Sequence, residues 1–91
     1  MKKINLQVWG RVQGVGFRFM TKMVADQLNI SGTVENKNDG SVYIEANGTA
    51  AEIGSFIEKV LASPSPSGRV DKWNLKADSA QSIHQKFRVT G

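Results

Sequence analysis

The chain has 91 residues, 40% of them hydrophobic and 22% charged, and its 12 Lys plus Arg against 8 Asp plus Glu leave a formal net charge of +4. That length suits one domain, residues 1–91, with a modest hydrophobic core. No cysteine is present, which excludes disulfides, thiolate nucleophiles and cysteine-rich metal sites. No apolar run approaches the roughly 18 residues needed to span a bilayer. Lys2 and Lys3 precede apolar residues that alternate with polar ones, unlike a signal peptide. A cytoplasmic protein without membrane contact is the expectation. The basic residues are scattered, whereas a nucleic-acid binder shows a denser patch. A mild positive field suits collection of a small anionic substrate.

Ile4, Leu6, Val8 and Val12 share one parity and Asn5, Gln7, Trp9 and Arg11 the other, which predicts a half-buried strand. Gly10 interrupts its apolar face, and Gly14 and Gly16 end it. From Phe17 the period changes. Phe17, Met20, Val24 and Leu28 fall on one helical face, with Asn29 as the end signal. Ile30, Gly32 and Val34 restart a period of two. Asn36-Lys37-Asn38-Asp39-Gly40 supplies hairpin chemistry, and Val42, Ile44 and Ala46 form the partner strand.

Thr49 or the preceding Gly48 caps a second helix, and Glu52 completes a capping box with Thr49. Ile53, Phe56, Ile57, Val60 and Leu61 make its apolar face. Their burial contributes on the order of 10 kcal/mol gross, before the entropy cost of ordering them. Ser63 to Gly68 carries two prolines and reads as a plain flexible connector. Val70, Trp73 and Leu75 predict a strand, imperfectly alternating. Asp78 to Ser82 are mostly polar, and Phe87 and Val89 suggest a short last strand. This order is βαββαβ with a small terminal strand. It predicts an α+β ferredoxin-like two-layer sandwich: a mostly antiparallel sheet with two helices on one face.

The candidate site lies in Gly10 to Arg18. Glycines at 10, 14 and 16 let the backbone approach a ligand closely. The turn runs into a helix whose first N–H groups lack intrahelical partners and carry the positive end of the dipole. Together these make an anion site. Arg18 sits in the first helical turn, where a cation opposes the dipole, and a bound phosphate would explain its placement. The competing reading is an ordinary glycine-rich connection with a surface arginine; neither a Walker A nor a GxGxxG motif is present. Asn36 ends the second strand on the inward parity. Two strands of a βαβ unit are parallel, so their C-terminal ends share one edge. The Asn36 carboxamide can then face the anion site and hold a water, or it can simply open the hairpin turn.

GRVQGVGFR followed by SGTVENKNDGSV resembles the acylphosphatase family, over a region from about Lys3 to Val70. The resemblance implies hydrolysis of a carboxyl–phosphate mixed anhydride to a carboxylate and orthophosphate, without metal or cofactor. It implies that Arg18 binds the phosphate, that Asn36 positions the attacking water, and that the backbone of Gln13, Gly14, Val15, Gly16 and Phe17 cradles the phosphate. The partner is then a small-molecule acyl phosphate, not nucleic acid, and a monomer is the simpler expectation. The end, Phe87-Arg88-Val89-Thr90-Gly91, lacks the terminal aromatic or basic residue common in the family, so a stabilising contact from the carboxyl end is not counted on.

The inventory suits an activated substrate, because no Ser-His-Asp set exists and His84, the only histidine, is not expected to be catalytic. Two other classes share features with this reading. RNA-binding domains of the RRM type have the same element order but need exposed aromatics on the two central strands; here Trp9 and Tyr43 lie on the outward parity. A non-enzymatic anion sensor would keep the loop without turnover. Nothing in the sequence itself reads the acyl group.

Overall fold

Seven elements follow one another in the computed structural model, which describes residues 1–91: β1 (Lys2–Arg11), α1 (Phe17–Gln27), β2 (Ser31–Asn36), β3 (Val42–Gly48), α2 (Ala50–Leu61), β4 (Arg69–Ala77) and β5 (Phe87–Val89). The strands form one sheet in the order β4-β1-β3-β2-β5. β3 pairs antiparallel with both β1 and β2. β1 and β2 therefore run the same way on either side of it, and their C-terminal ends reach one edge. This is the ferredoxin-like α+β arrangement, with β5 added parallel to β2.

The period-two pattern of β1 decides which face is covered. Ile4, Leu6 and Val8 point into the layer between sheet and helices, joined by Val34, Val42, Ile44 and Ala46 from the neighbouring strands. Phe17 and Ala25 of α1 and Ile53, Phe56 and Val60 of α2 meet them. Ile57 and Leu61, on the same face of α2, pack at the margin and are only partly buried. Phe87 of β5 closes the layer, its ring edge-on to Phe56 with centroids 5.9 Å apart. Such a pair adds about 1 kcal/mol beyond its buried area.

Both helices end as their sequences direct. After α1, Asn29 takes the left-handed conformation (φ 58°), and the Ile30 N–H donates back to Ala25 O at 2.9 Å. This is a Schellman closure, with asparagine where glycine is commoner. It reverses the chain directly into β2. At the start of α2 the Glu52 N–H donates to Thr49 Oγ1 (3.2 Å) and the Thr49 N–H to Glu52 Oε1 (3.0 Å), a complete capping box.

The imperfect alternation of the fourth strand has a local cause. Trp9 pairs with Lys72 but Gly10 with Val70, so the register shifts and Asp71 is an extra residue, a β-bulge. Parity resets there, which puts Val70 and Trp73 on one face although they are three apart. Trp73 and Leu75 pair with Val8 and Leu6 yet remain 54% and 42% exposed on this edge strand.

β4 and β5 lie on opposite edges, so residues 78–86 must cross the sheet. They do so on the face away from the helices, near the start of β1. Gln81 is buried and donates from Nε2 to Ile4 O (2.8 Å), while Asn47 Nδ2 donates to Gln81 Oε1 (3.1 Å). Most of this stretch is exposed; Gln81 is its buried point, where a polar side chain meets backbone and amide groups as the chain crosses. Similarly, the carboxyl end does make contacts. The Thr90 N–H donates to Val34 O (2.8 Å) and the Asn36 N–H to Gly91 O (3.2 Å), which extends the β2–β5 pairing past Val89. Main-chain pairing needs no particular terminal side chain, so this contact forms without the aromatic or basic residue.

Candidate active site

The segment between β1 and α1 is a nest of free donors. Gly14 (φ 75°) and Gly16 (φ 78°) both adopt left-handed backbone, and Gly16 is the N-cap of α1. Neither has a neighbour that a Cβ would strike, so glycine is needed there for conformation and not for space. With these turns in place, the N–H groups of Gln13, Gly14, Val15 and Gly16 donate to no carbonyl of the protein. The first N–H groups of α1 follow, unpaired by helix geometry. The earliest backbone hydrogen bond of the helix is Met20 N–H to Gly16 O (3.1 Å), and no acidic side chain occupies the first turn. The positive end of α1 is thus left open to an external anion.

Arg18 and Asn36 share a cleft of about 300 Å³ with Gly14, Gly16, Phe17 and Val12, rimmed by Phe19 and Val89. Arg18 forms no ion pair with any carboxylate, and no acidic residue lines the cleft. Asn36 closes the β2–β3 ladder opposite Val42, so its backbone is held on both sides, by Val42 and by Gly91. Its Oδ1 is buried without a hydrogen-bond partner. A half-turn of the carboxamide exchanges oxygen and nitrogen at the cleft without changing shape, so the group has both an acceptor and donors to offer. Gln13 and Val15 do not line the cleft with their side chains.

Those two residues are anchors instead. Gln13 Nε2 donates to Lys37 O (2.9 Å) and Ser41 O (2.8 Å), tying the cradle to the hairpin that begins at Asn36. Val15 O accepts from Ser65 Oγ (2.5 Å), and Ser65 is only 3% exposed. The Ser63–Gly68 segment is therefore a buttress under the cradle and not the plain flexible connector expected from its composition. Its two prolines, Pro64 and Pro66, restrict the backbone on either side of Ser65. Sequence reasoning also passed over two residues of the rim: Phe19, apolar but out of phase with the core, and Val89, which shares the parity of Phe87 and was read only as part of the last strand.

The hairpin is braced in turn. Asp39 accepts from the Ser41 hydroxyl and N–H and from Trp9 Nε1 (3.2 Å). The Ser41 hydroxyl, then its N–H, then Trp9, hold the Asp39 carboxyl below its ordinary value. A lowered carboxyl stabilises above its unfolded value, and that support is lost as acid protonates it, so the brace is intact at neutral pH. Removing the Gln13 side-chain tie should loosen the cradle against Asn36 without removing any donor. Gln13→Leu is expected to lower turnover about tenfold while the fold persists, as read by kcat and circular dichroism. Turnover equal to the wild type would show that the tie is dispensable.

Trp9 and Tyr43 stand on the two central strands facing away from the helices. Both faces are attended by lysine: Lys72 Nζ lies 4.7 Å from the Trp9 ring centre and Lys37 Nζ 5.1 Å from that of Tyr43. His84 sits on the same side, 3.0 Å from Glu45 Oε1, and is not among the cleft residues.

The acylphosphatase family model matches residues 4–89. This chain belongs to the acylphosphatase family. It is 53% identical over 90 residues to an acylphosphatase of Latilactobacillus sakei, covering 99% of this chain and 98% of that one. An acylphosphatase of Enterococcus faecalis is 48% identical over 89 residues, with 98% of each chain covered. The crystal structure of acylphosphatase from Bacillus subtilis superposes with a TM-score of 0.94 at 35% identity, over all of both chains. The protein is an acylphosphatase, a hydrolase of acyl phosphates. No helix of this acylphosphatase is long and apolar enough to cross a membrane.

Proposed function

We propose that the cleft between the β1–α1 turn and the end of β2 is where the acyl phosphate is hydrolysed, with Arg18 and Asn36 as the catalytic side chains. The reading is supported by one convergence: a run of unpaired N–H groups, an unpaired arginine and a carboxamide whose buried oxygen has no hydrogen-bond partner meet at the same small space. The N–H groups of Gln13 to Phe17 and the Arg18 guanidinium hold the equatorial oxygens of the phosphoryl group. Both stabilise the charge those oxygens carry in the transition state. Asn36 orients a water for attack on phosphorus. The new O–P bond forms as the bond from phosphorus to the acyl oxygen breaks, the carboxylate leaves, and the water's proton passes to a phosphoryl oxygen. A carboxylate is a good leaving group, so no acid is needed to protonate it. Positive charge comes from Arg18 and the backbone.

The proposal includes a monomer acting in the cytoplasm, with residues 1–91 as a single domain and no nucleic-acid partner. Orthophosphate, the product, tests the location. It should inhibit competitively, and titrated into 15N-labelled protein it should shift the amides of Gly14 to Phe19 most. A chelator should leave the rate unchanged. Shifts centred away from the β1–α1 turn would move the site elsewhere.

A further inference from the structure

The cleft that holds Arg18 and Asn36 is not uniformly polar. Its floor includes Val12 and Phe17, each 1% exposed and part of the core. Its rim carries two apolar side chains in water, Phe19 at 62% and Val89 at 40% exposure. They come from separate elements. Phe19 lies in the first turn of α1, and a helical side chain leans back toward the N-terminus, here toward the cradle. Val89 is the last residue of β5, carried beside β2 by the parallel pairing. Exposed apolar groups are common singly. Two of them from different elements, on the rim of the same small cleft, form a surface that a ligand could cover.

We propose that Phe19 and Val89 form an apolar lip that receives the acyl group, so that acyl phosphates with aromatic or branched aliphatic acyl groups are preferred over small ones. The inference rests on the phosphoryl group sitting in the cradle. With that group held there, the acyl carbon is one bridging oxygen away and must pass the rim. Arg18 is the only charged residue lining the cleft, and the phosphoryl group engages it. Within the cleft no second cation and no polar side chain beyond Asn36 lies beside the lip; Lys22, Lys86 and Arg88 line the adjoining groove beyond Val89. An apolar acyl group leaves nothing unpaired and removes Phe19 and Val89 from water. The specificity of this lip is modest, because a half-open apolar wall discriminates by the area it covers.

The test compares kcat/KM for benzoyl phosphate and acetyl phosphate, in the wild type and in Phe19→Ala, Phe19→Leu, Val89→Ala and Met23→Ala. Taking the ratio cancels any general loss from folding or from the phosphoryl site. The wild-type ratio is expected to favour benzoyl phosphate. Phe19→Ala should lower that ratio about fivefold and Val89→Ala about twofold, with Phe19→Leu in between. Met23, exposed one turn further along α1 and outside the cleft, should leave the ratio unchanged. An unchanged ratio in both Phe19→Ala and Val89→Ala overturns the lip. If orthophosphate still inhibits competitively in those variants, the lip alone has failed and the phosphoryl site stands. If orthophosphate shifts amides away from the cradle, the site and the lip fall together.

Discussion

Asn36→Ala is expected to keep its affinity for orthophosphate and to lose turnover roughly a thousandfold. The side chain contributes no positive charge, so deleting it leaves the cradle and Arg18 to hold the phosphoryl group. Its backbone contacts survive the change, because the pairing with Val42 and the N–H bond to Gly91 O belong to the main chain. What disappears is the carboxamide proposed to aim the water. Arg18→Ala should behave differently. It removes a cation from the equatorial oxygens, so phosphate affinity and turnover fall together, turnover by about a thousandfold or more. The two variants are separated by phosphate titration combined with single-turnover rates. Weakened phosphate binding in Asn36→Ala, or wild-type turnover in it, would remove its assigned role. Arg18→Ala with unimpaired phosphate affinity would place the anion elsewhere.

Gly32→Ala is expected to be the most destabilising single methyl addition in the sheet, by about 3 kcal/mol or more. Gly32 is the second residue of β2, with φ 150°, and a Cβ there would stand 1.8 Å from Glu45 O. The clash is with the backbone of β3, which cannot yield without breaking the β2–β3 ladder. A loss of that size is a large share of the ~5–15 kcal/mol that holds a small domain together. At roughly 4–8 °C per kcal/mol it lowers Tm by more than about 12 °C. Gly40→Ala makes the useful comparison. Gly40 has φ 90° in the hairpin turn but open space around it, so only conformational strain of about 1 kcal/mol applies. Similar Tm losses for the two variants would show that the close approach at Gly32 is relieved cheaply. The effect on activity should follow stability, because β2 carries Asn36 to the cleft.

Much of the fold was written locally. The period-two run of Ile4, Leu6 and Val8, the helical spacing from Ile53 to Leu61 and the Thr49–Glu52 box each need only near neighbours to act. The glycines at 14 and 16 and the free N–H groups that follow from them are also a local consequence, which is why the anion cradle was visible in nine consecutive residues. Even the meeting of cradle and Asn36 was foreseeable, since a βαβ connection sends two strands in one direction.

Other features exist only once distant segments touch. Nothing near Ser65 announces that its hydroxyl will reach Val15 O, 50 residues earlier in the chain. Gln81 is polar and buried because the strand order makes residues 78–86 cross the sheet, and no local pattern encodes strand order. The bulge at Asp71 hid the parity of β4, since alternation is legible only where the ladder is regular. The carboxyl end is held by backbone hydrogen bonds, which leave no mark on side-chain composition. The elements and the core face were legible in the residues alone, because short-range geometry and apolar periodicity act within each segment. What buttresses the β1–α1 turn and which apolar side chains rim the cleft emerged with the folded chain, because both depend on contacts between segments far apart in the sequence.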